Sequence, residues 1–214
     1  MMAPWTRQFL ELAKRYEALR FGRFTLKSGR ESPYFFNAGL FSDGAGLDGL
    51  ARCYAAAIVD HGLEFDMLFG PAYKGIPLAA AIAISLQRDF DRNVPFAFNR
   101  KEVKDHGEGG QLVGAPLEGR VLIVDDVISA GTSVRESVEL IEAESARPVG
   151  VALALARQAR GAGERSATEA VADAGLAVVS VASLDALIDW LGEHDAENGA
   201  LSDMLEYRVR YGTR

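Results

Sequence analysis

Phe9, Leu12, Ala13, Tyr16 and Leu19 recur at helical spacing near the start of the chain, and this predicts an opening amphipathic helix. The following FGRFTLKSGRESPYFFNAGLF is rich in aromatic residues and glycine, has no helical period, and reads as strands and turns. Leu47 to His61 predicts a second helix, with Gly62 as its C-terminal cap. Then the pattern changes. FDMLFG, VPFAFN, RVLIV, PVGVALALAR and GLAVVSV are short runs that stay apolar throughout, the signature of strands. Helical patterns follow four of them: Gly75 to Arg88, a helix from about Thr132, Ser166 to Ala174, and a helix capped by Ser183 with Leu184, Leu187, Ile188 and Leu191 on one face. VPFAFN runs instead into a glycine-rich loop. Strands apolar on both sides, separated by helices, predict an α/β fold with a mainly parallel central sheet and helices on both faces. Ligands of such sheets bind beyond the carboxyl ends of the strands. With no repeat, low-complexity tract or long linker, residues 1–214 read as a single domain.

Composition narrows the function classes. Hydrophobic residues make up 49% and charged residues 25% of the 214, enough to bury a substantial core. The net charge of −7 argues against a general nucleic-acid or anionic-membrane binder, yet leaves room for a local anion site. The single cysteine, Cys53, lies in an apolar helical stretch and reads as a buried thiol. The start of the chain lacks the pattern of a signal peptide, and the longest uncharged, mostly apolar run, Gly75 to Gln87, is too short to span a bilayer. A cytoplasmic protein is expected. No His/Cys cluster suggests a tightly held metal, and His61 and His194 sit near helix ends.

The candidate chemistry concentrates in VLIVDDVISAGTS, residues 121–133. Asp125 and Asp126 stand side by side at the carboxyl end of an apolar strand, where neighbouring carboxylates repel and resist desolvation. Gly131 permits tight backbone geometry, Ser129, Thr132 and Ser133 carry hydroxyls, and a helix starts at once, with Val134, Val138 and Ile141 inward. A small-residue loop entering a helix N-terminus is a cradle for phosphate. Acceptors beside donors suit a sugar phosphate, carboxylates on the ribose hydroxyls and amides on the 5′-phosphate. A metal-binding aspartate of a nucleotide hydrolase would need a G-x-x-x-x-G-K-[ST] loop, which is absent, and a phosphoacceptor aspartate leaves the Gly-Thr-Ser cradle unexplained.

Two other segments bear on an anion. RKEVKDHGEGG sets Arg100, Lys101, Lys104 and His106 ahead of Gly107, Gly109 and Gly110, while Glu102, Asp105 and Glu108 cancel the Arg and Lys charges. It reads either as a solvated loop or as a flexible lid, about residues 100–114, whose cations meet a departing anion and whose closure excludes water. In GPAYKG, Pro71 and Gly75 shape a tight turn. Lys74 falls at the positive end of the next helix, a locally unfavourable place that calls for an anionic partner.

VLIVDDVISAGTS resembles the phosphoribosyl-pyrophosphate (PRPP) motif of the type I phosphoribosyltransferases. FTLKSGRESPYFFNAGLF, FGPAYKGIPLA and FNRKEVKDHGEGG extend the similarity from about Arg7 to Tyr211, and toward the members that act on orotate. The resemblance implies that fold with a small N-terminal hood. It implies transfer of phosphoribose from PRPP to orotate in pyrimidine synthesis, with Mg²⁺ as cofactor and a homodimer sharing its sites. PRPP would then meet Lys27, Tyr73, Lys74, Arg100, Lys101, Lys104, His106 and the loop Asp125, Asp126, Val127, Ile128, Ser129, Ala130, Gly131, Thr132 and Ser133. Lys101, Lys104, Asp125 and Asp126 would serve catalysis, with Lys101 reaching the partner's site. Mg²⁺ would be held mainly by PRPP, with no direct protein ligand set. Orotate would meet Lys27, Phe35, Phe36, Ser129 and Arg157, the last suited by its planar fork to grip a carboxylate. One departure from the family pattern is Ala156 where an acid is expected before Arg157; Ser129 in place of Thr keeps the hydroxyl. A transferase for another base and a non-catalytic PRPP-sensing regulator are the alternatives on the same fold.

Overall fold

The structure, a computed structural model, describes residues 2–26, 29–104, 110–128, 131–160, 165–194 and 199–213, with backbone alone at 102–104 and 110. Helix α1 (Pro4–Arg15) begins on a proline, whose missing N–H costs nothing in a first turn. It ends sooner than the apolar spacing implies: Glu17 turns the chain at φ +53, and Leu19 already opens β1 (Leu19–Thr25). That strand pairs antiparallel with β2 (Glu31–Phe36). Helix α2 (Gly44–His61) is capped by Asp43, which accepts from the Gly46 N–H at 2.7 Å, and closes on Gly62 at φ +70.

The remaining elements follow as β3 (Met67–Gly70), α3 (Gly75–Phe90), β4 (Phe96–Lys104), β5 (Gly110–Gly114), β6 (Arg120–Asp125), α4 (Thr132–Ala143), β7 (Arg147–Ala156), α5 (Ala167–Asp173), β8 (Ala177–Ser183), α6 (Leu184–His194) and α7 (Ala200–Tyr211). The central sheet has the order β5-β4-β3-β6-β7-β8, parallel except for β5. Successive side chains serve opposite layers. Met67, Phe69, Val121, Ile123, Val151 and Leu153 pack with Val134 and Ile141 of α4 and Val171 of α5. Leu68, Leu122, Val124, Ala152 and Ala154 pack with Tyr54 and Ile58 of α2 and Leu78 and Ile82 of α3. Both faces are therefore covered, as continuously apolar strands require. The β1–β2 hairpin forms the hood, and α7 lies against it, with Tyr34 edge-on to Tyr207 at 6.0 Å. Among the described residues no helix is long and apolar enough to cross a membrane.

One expectation is corrected. The segment read as a loop over about 100–114 is, outside residues 105–109, a two-stranded ribbon: Phe98 pairs with Val113, Asn99 with Leu112 and Lys104 with Gly110. Leu112 packs against the core while Lys101 is exposed, and the charged, glycine-rich sequence of this edge ribbon gave no strand period.

Strand order fixes where a ligand fits. From β3 the chain crosses to β4 on one side, whereas β6 lies on the other side of β3. The loops leaving β3 and β6 diverge there and open a crevice at their carboxyl ends.

Candidate active site

The acidic pair sits in that crevice. Asp125 ends β6 and Asp126 begins the loop, and both residues are buried, at 8% and 5% exposure. Asp125 is held from two directions: its Oδ1 accepts from the Asp126 N–H at 2.9 Å and its Oδ2 from the Ser133 hydroxyl at 3.0 Å. Burial and the adjacent Asp126 charge push the Asp125 carboxyl up to about 6, against the pull of the Asp126 N–H, the Ser133 hydroxyl and the Lys74 ammonium. Asp126 Oδ1 accepts from the Val127 N–H at 2.9 Å, and its carbonyl accepts from the Ala154 N–H at 3.0 Å. The carboxylates are thus oriented before any ligand arrives.

Lys74 answers the question its position raises. Its ammonium lies 2.6 Å from Asp126 Oδ2, so an anionic partner is supplied by one of the paired aspartates themselves. The turn carrying it is bound to the next strand, because the Ala72 N–H donates to Asn99 Oδ1 at 2.8 Å. A cis peptide joins Ala72 to Tyr73, and Tyr73 is 66% exposed with the Lys101 ammonium 5.0 Å from its ring centre. Tyr73, Lys74, Lys101, Asp125 and Asp126 therefore converge from three segments.

Of the expected phosphate cradle, the structure describes all but residues 129 and 130. Gly131 stands before α4 at φ +73, and among the described residues no side chain caps the helix, which leaves its first N–H groups open to an anion. Val127 and Ile128 lead into it, Ile128 buried in the core cluster with Ile123 and Val134, and Thr132 is exposed. Lys27, His106, Ser129 and Ala130 lie outside the described residues, as do the side chains of Lys104 and its neighbours. Arg100 lies in β4, on the strand leading to Lys101.

The two phenylalanines part company. Neighbouring strand residues face opposite ways: Phe36 is 3% exposed and packs edge-on to Phe9 at 5.7 Å, while Phe35 is half-buried beside Phe24 at 5.7 Å, with Arg20 over both rings. Only Phe35 offers a ring outside the core; Phe36 offers backbone groups. Arg157 directly follows β7, its guanidinium 5.8 Å from the Tyr34 ring centre, and its Nε is buried without a hydrogen-bond partner among the described residues. Ala156 is buried and supplies no charge beside it.

Two residues at the site escape sequence reasoning. Tyr54, inside α2, donates its hydroxyl to the Asp125 carbonyl at 2.7 Å and so anchors the end of β6; nothing in an apolar helical stretch marks it. Asn99 did carry a signal, as the polar residue closing the apolar FAFN. Cys53 is buried, and burial pushes its thiol up to about 12, an inert state.

Among the described residues no three His, Cys, Asp or Glu side chains converge into a metal-binding group. The aspartate pair has the hard oxygens that Mg²⁺ prefers, but too few for its six positions. This donor set fits a magnesium ion that brings most of its oxygen ligands with a bound phosphate.

Residues 44–174 match the phosphoribosyl transferase domain family. The chain is 58% identical over 212 residues to the orotate phosphoribosyltransferase of Thioalkalivibrio sulfidiphilus, covering 99% of this chain and 100% of that one. It is 58% identical over 214 residues to the orotate phosphoribosyltransferase of Laribacter hongkongensis, covering 100% of each. The crystal structure of orotate phosphoribosyltransferase from Francisella tularensis superposes with a TM-score of 0.87 at 40% identity, over 96% of this chain and 99% of that one.

Proposed function

The chain belongs to the orotate phosphoribosyltransferases, and we propose that the crevice between β3 and β6 is where it joins the two substrates. The reaction transfers the 5-phosphoribosyl group of PRPP to orotate, giving orotidine 5′-monophosphate and pyrophosphate on the route to UMP. The family generally uses Mg²⁺ with PRPP.

The observation that carries the assignment of roles is the Asp125–Asp126 pair lying directly beside an uncapped helix N-terminus. The carboxylates accept from the ribose hydroxyls, and the N–H groups of Gly131, Thr132 and Ser133 hold the 5′-phosphate. As the bond from the anomeric carbon to pyrophosphate breaks, positive charge grows on the ribose, close to both carboxylates. Lys74, Tyr73, Arg100, Lys101, Lys104 and His106 receive the negative charge of the departing pyrophosphate. The orotate ring nitrogen bonds to the anomeric carbon from the opposite face and inverts it. Arg157 grips the orotate carboxylate, Phe35 covers the ring, and Lys27, Phe36 and Ser129 complete the pocket. Mg²⁺, when bound, would supply positive charge against the pyrophosphate, and Asp125 and Asp126 are the residues that would help PRPP hold it.

The chain works as a homodimer, with Lys101 of one protomer serving the partner's site, and as a single domain over residues 1–214 in the cytoplasm. Mixing purified protein with PRPP, Mg²⁺ and orotate and following loss of orotate absorbance tests the roles. Loss that needs every component and disappears with Asp125→Asn or Asp126→Asn supports them. Turnover untouched by either substitution would move the chemistry elsewhere.

A further inference from the structure

The residue after Arg157 is held in a conformation that non-glycine residues rarely adopt. Gln158 has φ +43, and hydrogen bonds fasten it on every side. Its carbonyl accepts from the Thr213 N–H at 2.8 Å. Its side-chain amide meets Asp185 at both ends: Nε2 donates to Oδ2 at 3.2 Å, and Oε1 accepts from the Asp185 N–H at 3.1 Å. Asp185 is gripped in turn by Arg208 of α7, Nε to Oδ1 at 2.6 Å and Nη2 to Oδ2 at 3.2 Å. The same guanidinium donates to the Thr213 carbonyl at 2.7 Å, and the Arg160 N–H donates to the Tyr211 carbonyl at 2.8 Å.

Helix α7 also acts from the other side of Arg157. The Tyr34 ring, 5.8 Å from the guanidinium, stands edge-on to Tyr207 of α7. Arg157 therefore lies between its chain neighbour Gln158 and its ring contact Tyr34, and both lead back to the C-terminal helix. A fork that must meet a planar carboxylate through two bonds tolerates little misorientation, and a free arginine loses much rotamer freedom on reaching it. Ala156 gives no charged support from the preceding position.

We propose that α7 is the positioning element for carboxylate recognition: through Gln158 on one side and Tyr34 on the other, it fixes the direction of the Arg157 guanidinium. This rests on Arg157 being the orotate carboxylate's partner. Gln158, Asp185 and Arg208 touch no reacting atom; they act through Arg157, so their loss changes specificity for a carboxylated pyrimidine and leaves the handling of PRPP alone.

Orotidine and uridine 5′-monophosphates differ only in that carboxylate, and calorimetry of both with the full chain reads the effect. Gln158→Ala and Asp185→Ala each lower the affinity ratio of the two nucleotides on the order of tenfold, with uridine monophosphate and PRPP affinities held within about twofold. In an Arg157→Ala background, Gln158→Ala changes the ratio no further. Asp185 has a half-exposed side chain, so Asp185→Ala decides the matter if Gln158→Ala does not fold. An unchanged ratio in Asp185→Ala while Arg157→Ala abolishes it overturns the proposal. So does an equal loss of both nucleotides, which marks a merely structural role. An unchanged ratio in Arg157→Ala overturns the reading of Arg157 itself, and the proposal with it.

Discussion

The Lys74 ammonium donates to Asp126 across 2.6 Å and ties the loop after β3 to the loop after β6, over the point where the sheet reverses its order. The pair is asymmetric: the Lys74 side chain is 47% exposed and that of Asp126 only 7%. Removing the cation leaves two adjacent carboxylates in a desolvated crevice. Lys74→Met should therefore lower ligand-free stability by about 1–2 kcal/mol, below the usual figure for a buried pair because solvent screens the lysine. It should also lower kcat/KM for PRPP on the order of 10²-fold. Denaturant melts of Lys74→Met and of the double variant Lys74→Met/Asp126→Asn check the cause. The double variant should regain stability and stay inactive; equal destabilisation in both would show that the ion pair is not what Lys74 contributes.

Asp125 gives the site a pH dependence of defined sign. Its folded-state pKa, about 6, lies above the ordinary 3.8, so folding takes up a proton between those values. The ligand-free chain is stabilised by this group below about pH 4, and the contribution is lost as pH rises through 6. PRPP binding runs the other way, because ribose hydroxyls need an ionised acceptor. PRPP affinity should fall as pH drops below about 6, while the thermal midpoint at pH 5 should gain relative to pH 7. Asp125→Asn should flatten the stability profile. A wild-type profile as flat as that of the variant would show that Asp125 does not titrate in this range.

The contrast between Asp125 and Lys74 shows what a sequence can reveal. Five strands and the acidic pair were legible because strands buried on both faces must be apolar throughout, and a charge at their ends stands out. The ion pair was not, since its partners are brought together by a crossover between strands distant in sequence. Phe35 and Phe36 read as one aromatic surface, although the period-two burial of Ser32, Tyr34 and Phe36 puts them on opposite sides of β2. The β4–β5 ribbon stayed hidden because charges and glycines break its strand period. The bonds around Gln158 were equally invisible: they depend on α6 and α7 folding back over the end of β7.

Lys101 is exposed, and its described contact is with the Tyr73 ring, a kind of interaction that at the surface is worth only about 0.5–1 kcal/mol. Lys101→Ala should leave the melting temperature within about 2 °C of the parent. Its kcat should nevertheless fall on the order of 10²–10³, the size of one lost transition-state contact. The orotate absorbance assay and a thermal melt separate the two quantities. Normal turnover in the variant would remove Lys101 from the catalytic set.

The approach of α3 to β3 makes the Lys74–Asp126 bond possible, and it depends on two glycines without side chains. A Cβ on Gly70 would overlap the Gly75 carbonyl oxygen and lie 2.9 Å from the Ala79 Cβ; one on Gly75 would lie 2.6 Å from Pro71 Cδ. Neither position has a positive φ, so the requirement is for space rather than torsion. Gly131 is the opposite case: at φ +73, a Cβ added there would meet nothing within 4 Å among the described residues, so the requirement is torsional. Gly70→Ala should push α3 off the strand end and lower the thermal midpoint by about 10 °C or prevent folding. Gly131→Ala should cost only about 1 kcal/mol of stability, yet weaken PRPP binding by tilting the first N–H groups of α4 away from the phosphate. Thermal melts and PRPP calorimetry on the two variants should therefore give opposite rankings for stability and for affinity per degree lost. If Gly131→Ala binds PRPP as the parent does, the cradle does not depend on the left-handed turn.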